Sequence, residues 1–363
     1  MVNEKLQSIV DQFVLEGPVA EIKPLGAGFI NDTFKVNTIG DASDYILQRK
    51  NKTIFTDVPA MMNNICMVTE HIRRKVINAG GDPLREVLTV VKTKNGKLCY
   101  QDAEGEYWAM CVFIGHSVTY ERADSPALCY KGGQGIGRFQ SQLVDFAQPL
   151  FETIKGFHNI RWRFVQWDES LKADKAGRVG CLSKEIEWIN SRRDEMLGFW
   201  QKVETGEIPM RVTHNDTKIS NILFDEQGEV LCVIDLDTVM SSTSLNDFGD
   251  AVRSYTNTGA EDDKELDKVS MNIELFKAYT EGYLSERRAT LTSSEKEWLA
   301  FSARYITYEQ VFRFLMDYID GDTYYKIAYP EHNLVRTHAQ YRLLQSMESQ
   351  YEEMCDIVRQ NSY

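Results

Sequence analysis

Apolar residues first recur at helical spacing. Leu6, Ile9, Val10, Phe13 and Val14 share one face of a 3.6-residue period and predict a short amphipathic helix. The period then shortens. Between residues 22 and 36 two strand-like runs flank Gly26-Ala-Gly28, which predicts strand, glycine turn, strand. Residues 45–48 (Tyr-Ile-Leu-Gln) predict a third strand, 58–79 a helix, and 87–93, 98–101 and 107–114 further strands. Strands in this order with one helix among them predict a small α+β unit. Beyond about Gly115 helical spacing dominates, over 127–146, 184–202, 273–286, 294–318 and 338–358. β character returns only around 212–224 and in the apolar run 230–234. The expectation is therefore two lobes, a small mainly β lobe over 1–115 and a larger mainly helical lobe over 116–363. No internal repeat, low-complexity tract or flexible linker separates them, so the boundary near 115–117 reads as a hinge within one functional unit.

A chain of 363 residues is comfortable for two lobes, given about 100–200 residues per domain. With 43% hydrophobic and 26% charged residues it has an ordinary globular composition. The formal net charge of −13 argues against a nucleic-acid binder, which would carry a basic face, and against binding at an anionic membrane surface. The longest apolar run, around 107–115, falls far short of the roughly 20 residues of a membrane helix. The first residues show no basic region followed by an apolar core, as a signal peptide would. Seven cysteines without a Cys-x-x-Cys pair suggest free thiols in a reducing compartment. These features together predict a cytoplasmic protein.

The most informative stretch runs from Val212 to Thr238. It places a carboxylate at Asp216, an amide five residues on at Asn221, and a second carboxylate, Asp235, at the end of an apolar strand. His214-x-Asp216-x-x-x-x-Asn221 followed by a strand-borne Asp has the spacing of the catalytic loop and metal-binding strand of the kinase fold. Phosphoryl transfer needs a carboxylate to accept the proton of the attacking hydroxyl, and hard oxygen ligands to hold Mg²⁺ against nucleotide phosphates. Asp216 is the candidate base; Asn221 and Asp235 are the candidate metal ligands. Asp237 ranks behind Asp235, because it shares that residue's side only if the strand continues. Lys218 is either a cation for the transferring phosphoryl group or a surface lysine.

Other segments are less specific. Asp247-Phe-Gly249 spells the metal motif of protein kinases, but no apolar strand precedes it, so Asp247 reads as a carboxylate bracing the catalytic loop. Gly132-Gly-Gln-Gly-Ile-Gly137 resembles a phosphate-cradling loop. Arg138 stands where the last glycine of the dinucleotide fingerprint would be needed, and the helical spacing around the run favours close helix packing. Gly26 and Gly28 fit a turn covering nucleotide phosphates. The third strand offers Gln48, Arg49 and Lys50 for those phosphates, with Gln48 and Lys50 on one face. The backbone of 110–114, centred on Val112, would serve adenine.

The chain resembles the aminoglycoside and choline phosphotransferase superfamily, and within it the N-acetylhexosamine 1-kinases. The likeness runs nearly end to end. It is carried by Gly26-Ala-Gly-Phe-Ile-Asn31, the Asp216, Asn221 and Asp235 segments, Asp247-Phe-Gly-Asp250, Arg313-Phe-Leu315 and Tyr329-Pro-Glu-His-Asn-Leu-Val-Arg336. The resemblance implies a two-lobed protein-kinase-like fold and an ATP- and Mg²⁺-dependent kinase that phosphorylates the anomeric hydroxyl of N-acetylglucosamine or N-acetylgalactosamine. It also implies that Thr238, Arg313 and Tyr324 line the sugar pocket. One departure is Phe29, where a polar residue is expected in the glycine turn. Two alternatives stay open from the residues themselves. One is a kinase of the same superfamily acting on aminoglycosides or other small hydroxyl compounds. The other is a catalytically silent kinase-fold binding protein, favoured by the missing lysine at the usual third-strand position.

Overall fold

The computed structural model describes residues 4–26 and 30–362. The chain divides into two compact units. The first takes the chain up to Thr119 and adds Asp145–Lys155 and Asn221–Ser241; the second takes Tyr120–Val144, Gly156–Ser220 and the chain from Ser242 onward. The first unit is built on an antiparallel sheet and the second on helices, the two lobes of a kinase-like fold.

In the first unit α1 (Glu4–Val10) precedes β1 (Val19–Pro24), β2 (Asp32–Thr38), β3 (Tyr45–Lys50), α2 (Val58–Asn78), β4 (Val90–Val91), β5 (Tyr100–Gln101) and β6 (Tyr107–Val112). The sheet order is β1-β2-β3-β6-β4, with β5 also on β6. Register matters for the site. Thr33 and Ala109 flank Gln48, while Tyr107 lies opposite Lys50. Tyr45 and Leu47 bury one face of β3 against Ile9, Val10, Phe13, Val36, Trp108 and Met110. Period-2 alternation therefore turns Gln48 and Lys50 to the other face, as the spacing predicts. The expected strands at 87–93 and 98–101 shorten to two residues each. Asp57 caps α2 by accepting from Ala60 N at 2.9 Å.

In the second unit α3 (Pro126–Gln142) leads to α4 (Ile160–Ala173), α5 (Ser183–Asn190), α6 (Arg193–Glu204) and the strand β7 (Arg211–Thr213). The chain then forms the hairpin β8 (Ile222–Phe224) and β9 (Val230–Val233) in the first unit, followed by β10 (Met240–Ser242). It continues as α7 (Ser244–Tyr255), α8 (Ile273–Arg287), α9 (Ser293–Ile319), α10 (His332–Ser349) and α11 (Tyr351–Ser362). The glycine-rich run lies inside α3, where it serves helix packing. A Cβ on Gly133 would sit 2.3 Å from Tyr279 O, and one on Gly282 would sit 2.0 Å from Tyr130 O. No side chain fits either position, so α3 and α8 meet backbone to backbone. α9 opens with a capping box between Thr292 and Glu295, and α7, α10 and α11 pack along it.

Two helical expectations change in detail. The 184–202 helix breaks at Ser191-Arg192, where Arg192 Nη1 donates back to Trp188 O at 3.1 Å. The 338–358 helix starts earlier, at His332, and breaks at Gln350, whose amide donates to Met271 O at 3.0 Å. Helices α4 and α7 are additional. In α7 the apolar residues Leu245, Phe248, Val252 and Tyr255 share one helical face, and Asn246, Asp247 and Asp250 are buried beside them.

Candidate functional site

In the second unit, β7 delivers the chain into the loop that carries Asp216. Two carboxylates from α7 hold this loop by its backbone. Asp247 Oδ2 accepts from His214 N at 3.0 Å and from Gln140 Nε2 at 2.8 Å, and Oδ1 accepts from Asn215 N at 2.7 Å. Asp250 Oδ2 accepts from Thr217 N at 2.8 Å. Burial pushes the Asp247 carboxyl above its ordinary value, against the opposing pull of His214 and these donors. Burial also raises Asp250, but Arg253, His158 and the Thr217 amide outweigh it and hold that carboxyl below the usual range. Asn215 has φ 66°, an uncommon left-handed conformation that asparagine tolerates better than most residues. His214, Asn215 and Thr217 are buried, whereas Asp216 between them is part-exposed and pairs with Lys218 Nζ at 3.1 Å. The loop is thus fixed at three amides and presents one carboxylate. Asp247 braces it, as the sequence reading of this decoy motif expects.

The first unit carries Asn221, Asp235 and Thr238. The β8–β9 hairpin pairs Ile222 with Val233, and Asn221 O accepts from Ile234 N at 2.8 Å. That pairing sets Asn221 and Asp235 at the same end of the hairpin. Asp235 is exposed and has φ 58°, ψ 55°. A left-handed conformation in a non-glycine residue is a local cost that surrounding structure must sustain, and such residues cluster at functional sites. The 3-10 turn Leu236–Thr238 follows. Asp237 is buried in it and separates clearly from Asp235: its carboxylate receives Lys50 Nζ at 2.7 and 2.9 Å and Asn31 Nδ2 at 2.7 Å. Lys50 also donates to Gln48 Oε1 at 2.7 Å. Removing one partner of such a buried pair costs on the order of 3–5 kcal/mol, because a charge is left uncompensated. Asp237 is therefore committed to Lys50, and Asp235 is the exposed carboxylate of the two. Arg49, on the opposite face, pairs with Asp32 at the surface.

Lys50 brings an ammonium to the face that Gln48 occupies and takes its acidic partner from the 236–238 turn. Spacing puts Lys50 and Gln48 on one face, but only the fold reveals the pairing with Asp237. Val112 ends β6, with its N–H on Thr89 O at 2.9 Å. Gly26 has φ 67°, and no atom of the described residues lies within 4 Å of where a Cβ would stand. Gly28 and Phe29 lie outside the described residues.

Arg313 and Tyr324 belong to the second unit. The Arg313 guanidinium lies 5.2 Å from the Phe157 ring and 5.6 Å from both Tyr324 and Tyr325. Behind it, Glu309 faces His158 Nδ1 at 2.6 Å and Arg163 Nε at 3.4 Å. Burial raises the Glu309 carboxyl, but His158, Arg163 and Arg313 bring it down to about 2. His158 Nε2 in turn lies 3.3 Å from Asn215 O, in the loop that carries Asp216. This buried chain of Arg313, Glu309, His158 and Asn215 was not foreseen. Glu309 is far in sequence from His158 and Arg163, and the three match no short motif.

Among the described residues no three His, Cys, Asp or Glu side chains are grouped as a preformed metal cage. Mg²⁺ does not require one, since it commonly takes one or two protein oxygens and shares the rest with water and substrate phosphates. The amide of Asn221 and the exposed carboxylate of Asp235 are hard oxygen donors of that kind. All seven cysteines are free thiols, and among the described residues no helix is long and apolar enough to cross a membrane.

The sheet unit, the helical unit and the order of these loops define a kinase-like fold. The model of the phosphotransferase enzyme family matches residues 21–289, and the chain belongs to that family. Among solved structures, a microcompartment-associated aminopropanol kinase is 16% identical, with TM-score 0.62 over 97% of this chain and 98% of its own. A spectinomycin phosphotransferase solved with ADP and spectinomycin is 14% identical, with TM-score 0.56 over 99% of this chain and 98% of its own. A choline kinase from Streptococcus pneumoniae is 13% identical, with TM-score 0.52 over 95% of this chain and 97% of its own. At these identities the likeness is one of fold.

Proposed function

We propose that this chain is an ATP- and Mg²⁺-dependent kinase that phosphorylates the anomeric hydroxyl of N-acetylhexosamines. The observation that carries the phosphotransferase chemistry is the anchored loop, in which Asp247 and Asp250 fix three backbone amides and Asp216 alone is presented. In this reading Asp216 accepts the proton of the sugar hydroxyl as the hydroxyl oxygen bonds to the γ-phosphorus of ATP and the bond to the bridging oxygen breaks, releasing ADP. Asn221 and Asp235 would hold the metal, whose role is to neutralise charge on the phosphates. Gly26, Gly28, Gln48 and the backbone at Val112 would contact the nucleotide, with Lys50 beside Gln48. Thr238, Arg313 and Tyr324 would receive the sugar, Tyr324 by packing its half-exposed ring on the pyranose and Arg313 by donating to oxygens.

The names of the structural relatives favour a second reading, an amino-alcohol or aminoglycoside kinase. Arg313 weighs against it. Aromatic rings can hold an ammonium group by cation–π attraction, but Phe157, Tyr324 and Tyr325 already surround a guanidinium. A neutral, hydroxyl-rich acceptor avoids like-charge repulsion there. ADP release from ATP across a panel of acceptors separates the two. N-acetylglucosamine and N-acetylgalactosamine should react within about tenfold of each other, a gap of roughly 1.4 kcal/mol, with glucose clearly worse. Turnover of choline or an aminoglycoside above both sugars would overturn the substrate assignment and leave the phosphotransferase.

A further inference from the structure

The motif Tyr329–Arg336 has no role in the chemistry above, yet its side chains converge on one loop of the second unit. At the last turn of α9, buried Asp317 turns its carboxylate onto three consecutive backbone amides. Oδ1 accepts from Thr323 N at 2.9 Å and Tyr324 N at 2.8 Å, and Oδ2 accepts from Tyr325 N at 3.0 Å. Consecutive amides converging in this way form an anion-binding nest, here filled by the chain's own carboxylate. Asn333, fully buried in α10, closes it: its Nδ2 donates to Asp317 Oδ2 and to Asp322 Oδ1, each at 2.9 Å. Asp322 has φ 61° and takes Arg178 Nη1 on its other oxygen at 2.6 Å. Two more motif residues hold the same segment. His332 Nδ1 accepts from Ala328 N at 3.1 Å, and Arg336 Nη1 donates to Lys326 O at 3.2 Å.

The residue so held is Tyr324. Its amide is pinned while its ring stays 50% exposed, beside the Arg313 guanidinium and edge-on to Tyr325. An exposed aromatic side chain on an otherwise mobile 320–331 connection would lose conformational freedom on gripping a ligand. Prior fixing of the backbone removes part of that cost, which is how preorganisation raises affinity. We propose that Asp317, locked by Asn333, is the positioning residue of the acceptor-binding loop and sets acceptor affinity through Tyr324. The proposal rests on the reading of Tyr324 as an acceptor contact.

The test uses the full chain and the best acceptor of the panel. Asp317→Asn keeps the size of the side chain but turns one acceptor atom into a donor facing an amide. Acceptor KM should rise about tenfold or more while ATP KM stays within about twofold and kcat changes less, with faster hydrogen exchange at the amides of 323–325. A contact made through a neighbour shows non-additivity. In a Tyr324→Ala background, Asp317→Asn should therefore add little to acceptor KM. Asn333→Ala, which leaves the three amide bonds in place, should act in the same direction more weakly, and serves if Asp317→Asn does not fold. Unchanged acceptor KM in a folded variant whose loop amides exchange faster would overturn the proposal. So would equal rises in acceptor and ATP KM. If Asp317→Asn raises acceptor KM but Tyr324→Ala does not, the loop still positions the acceptor, and it is the assignment of Tyr324 that falls.

Discussion

Asp216→Asn is expected to lower kcat by two or more orders of magnitude, near the upper range for loss of a general base, with nucleotide binding nearly kept. The substitution preserves shape and leaves the braces untouched, because Asp247 and Asp250 grip the amides of His214, Asn215 and Thr217 rather than the Asp216 side chain. A change in turnover would thus report the missing proton acceptor and not a displaced loop. Steady-state turnover beside a nucleotide-binding isotherm separates the two effects. A variant that keeps a tenth of normal turnover removes Asp216 from the mechanism.

The second large effect contrasts two carboxylates that look alike in sequence. Asp235→Ala should abolish Mg²⁺-dependent turnover with little loss of stability, because the side chain is exposed. Asp247→Ala should act through stability and a misplaced loop instead of through the metal. It strands two buried backbone amides and the Gln140 side chain, at about 1–3 kcal/mol for each unsatisfied group. The melting temperature should fall by about 10 °C or more, at roughly 2–4 °C per kcal/mol for a unit of this size. Melting curves and Mg²⁺ titrations of both variants check this. If Asp247→Ala melts normally and loses metal dependence while Asp235→Ala keeps it, the two roles are exchanged.

Much of this was legible before the fold. The 3.6-residue and 2-residue periods located α2, α3, α8, α9 and the strands of the sheet, although α9 is buried nearly all round between Leu299 and Leu315. In α7, Leu245, Phe248, Val252 and Tyr255 do recur at helical spacing, but Asn246, Asp247 and Asp250 are buried among them because they hold a loop, which gives the segment a polar look in sequence. Breaks at Arg192 and Gln350 were hidden for a related reason, since long polar side chains that return to backbone carbonyls end a helix without proline or glycine. The candidate site divides the same way. Asp216, Asn221 and Asp235 lie within a short span whose spacing is itself the signal. The Lys50–Asp237 pair and the His158–Glu309 pair join residues far apart in sequence, and the nest on Asp317 is made with backbone amides that no side-chain pattern reveals. The glycine run 132–137 was resolved by its helical context, and Tyr279 O and Tyr283 O beside α3 show the packing that excludes side chains there.

The claim that this is an anomeric kinase is tested most directly by the position of the transferred phosphate. After complete reaction of N-acetylglucosamine with ATP and Mg²⁺, the product should carry phosphate on carbon 1. It should then show phosphorus coupling to the anomeric proton in its nuclear magnetic resonance spectrum and give no reducing-sugar response. Phosphate on carbon 6, with the reducing end intact, would contradict the assignment.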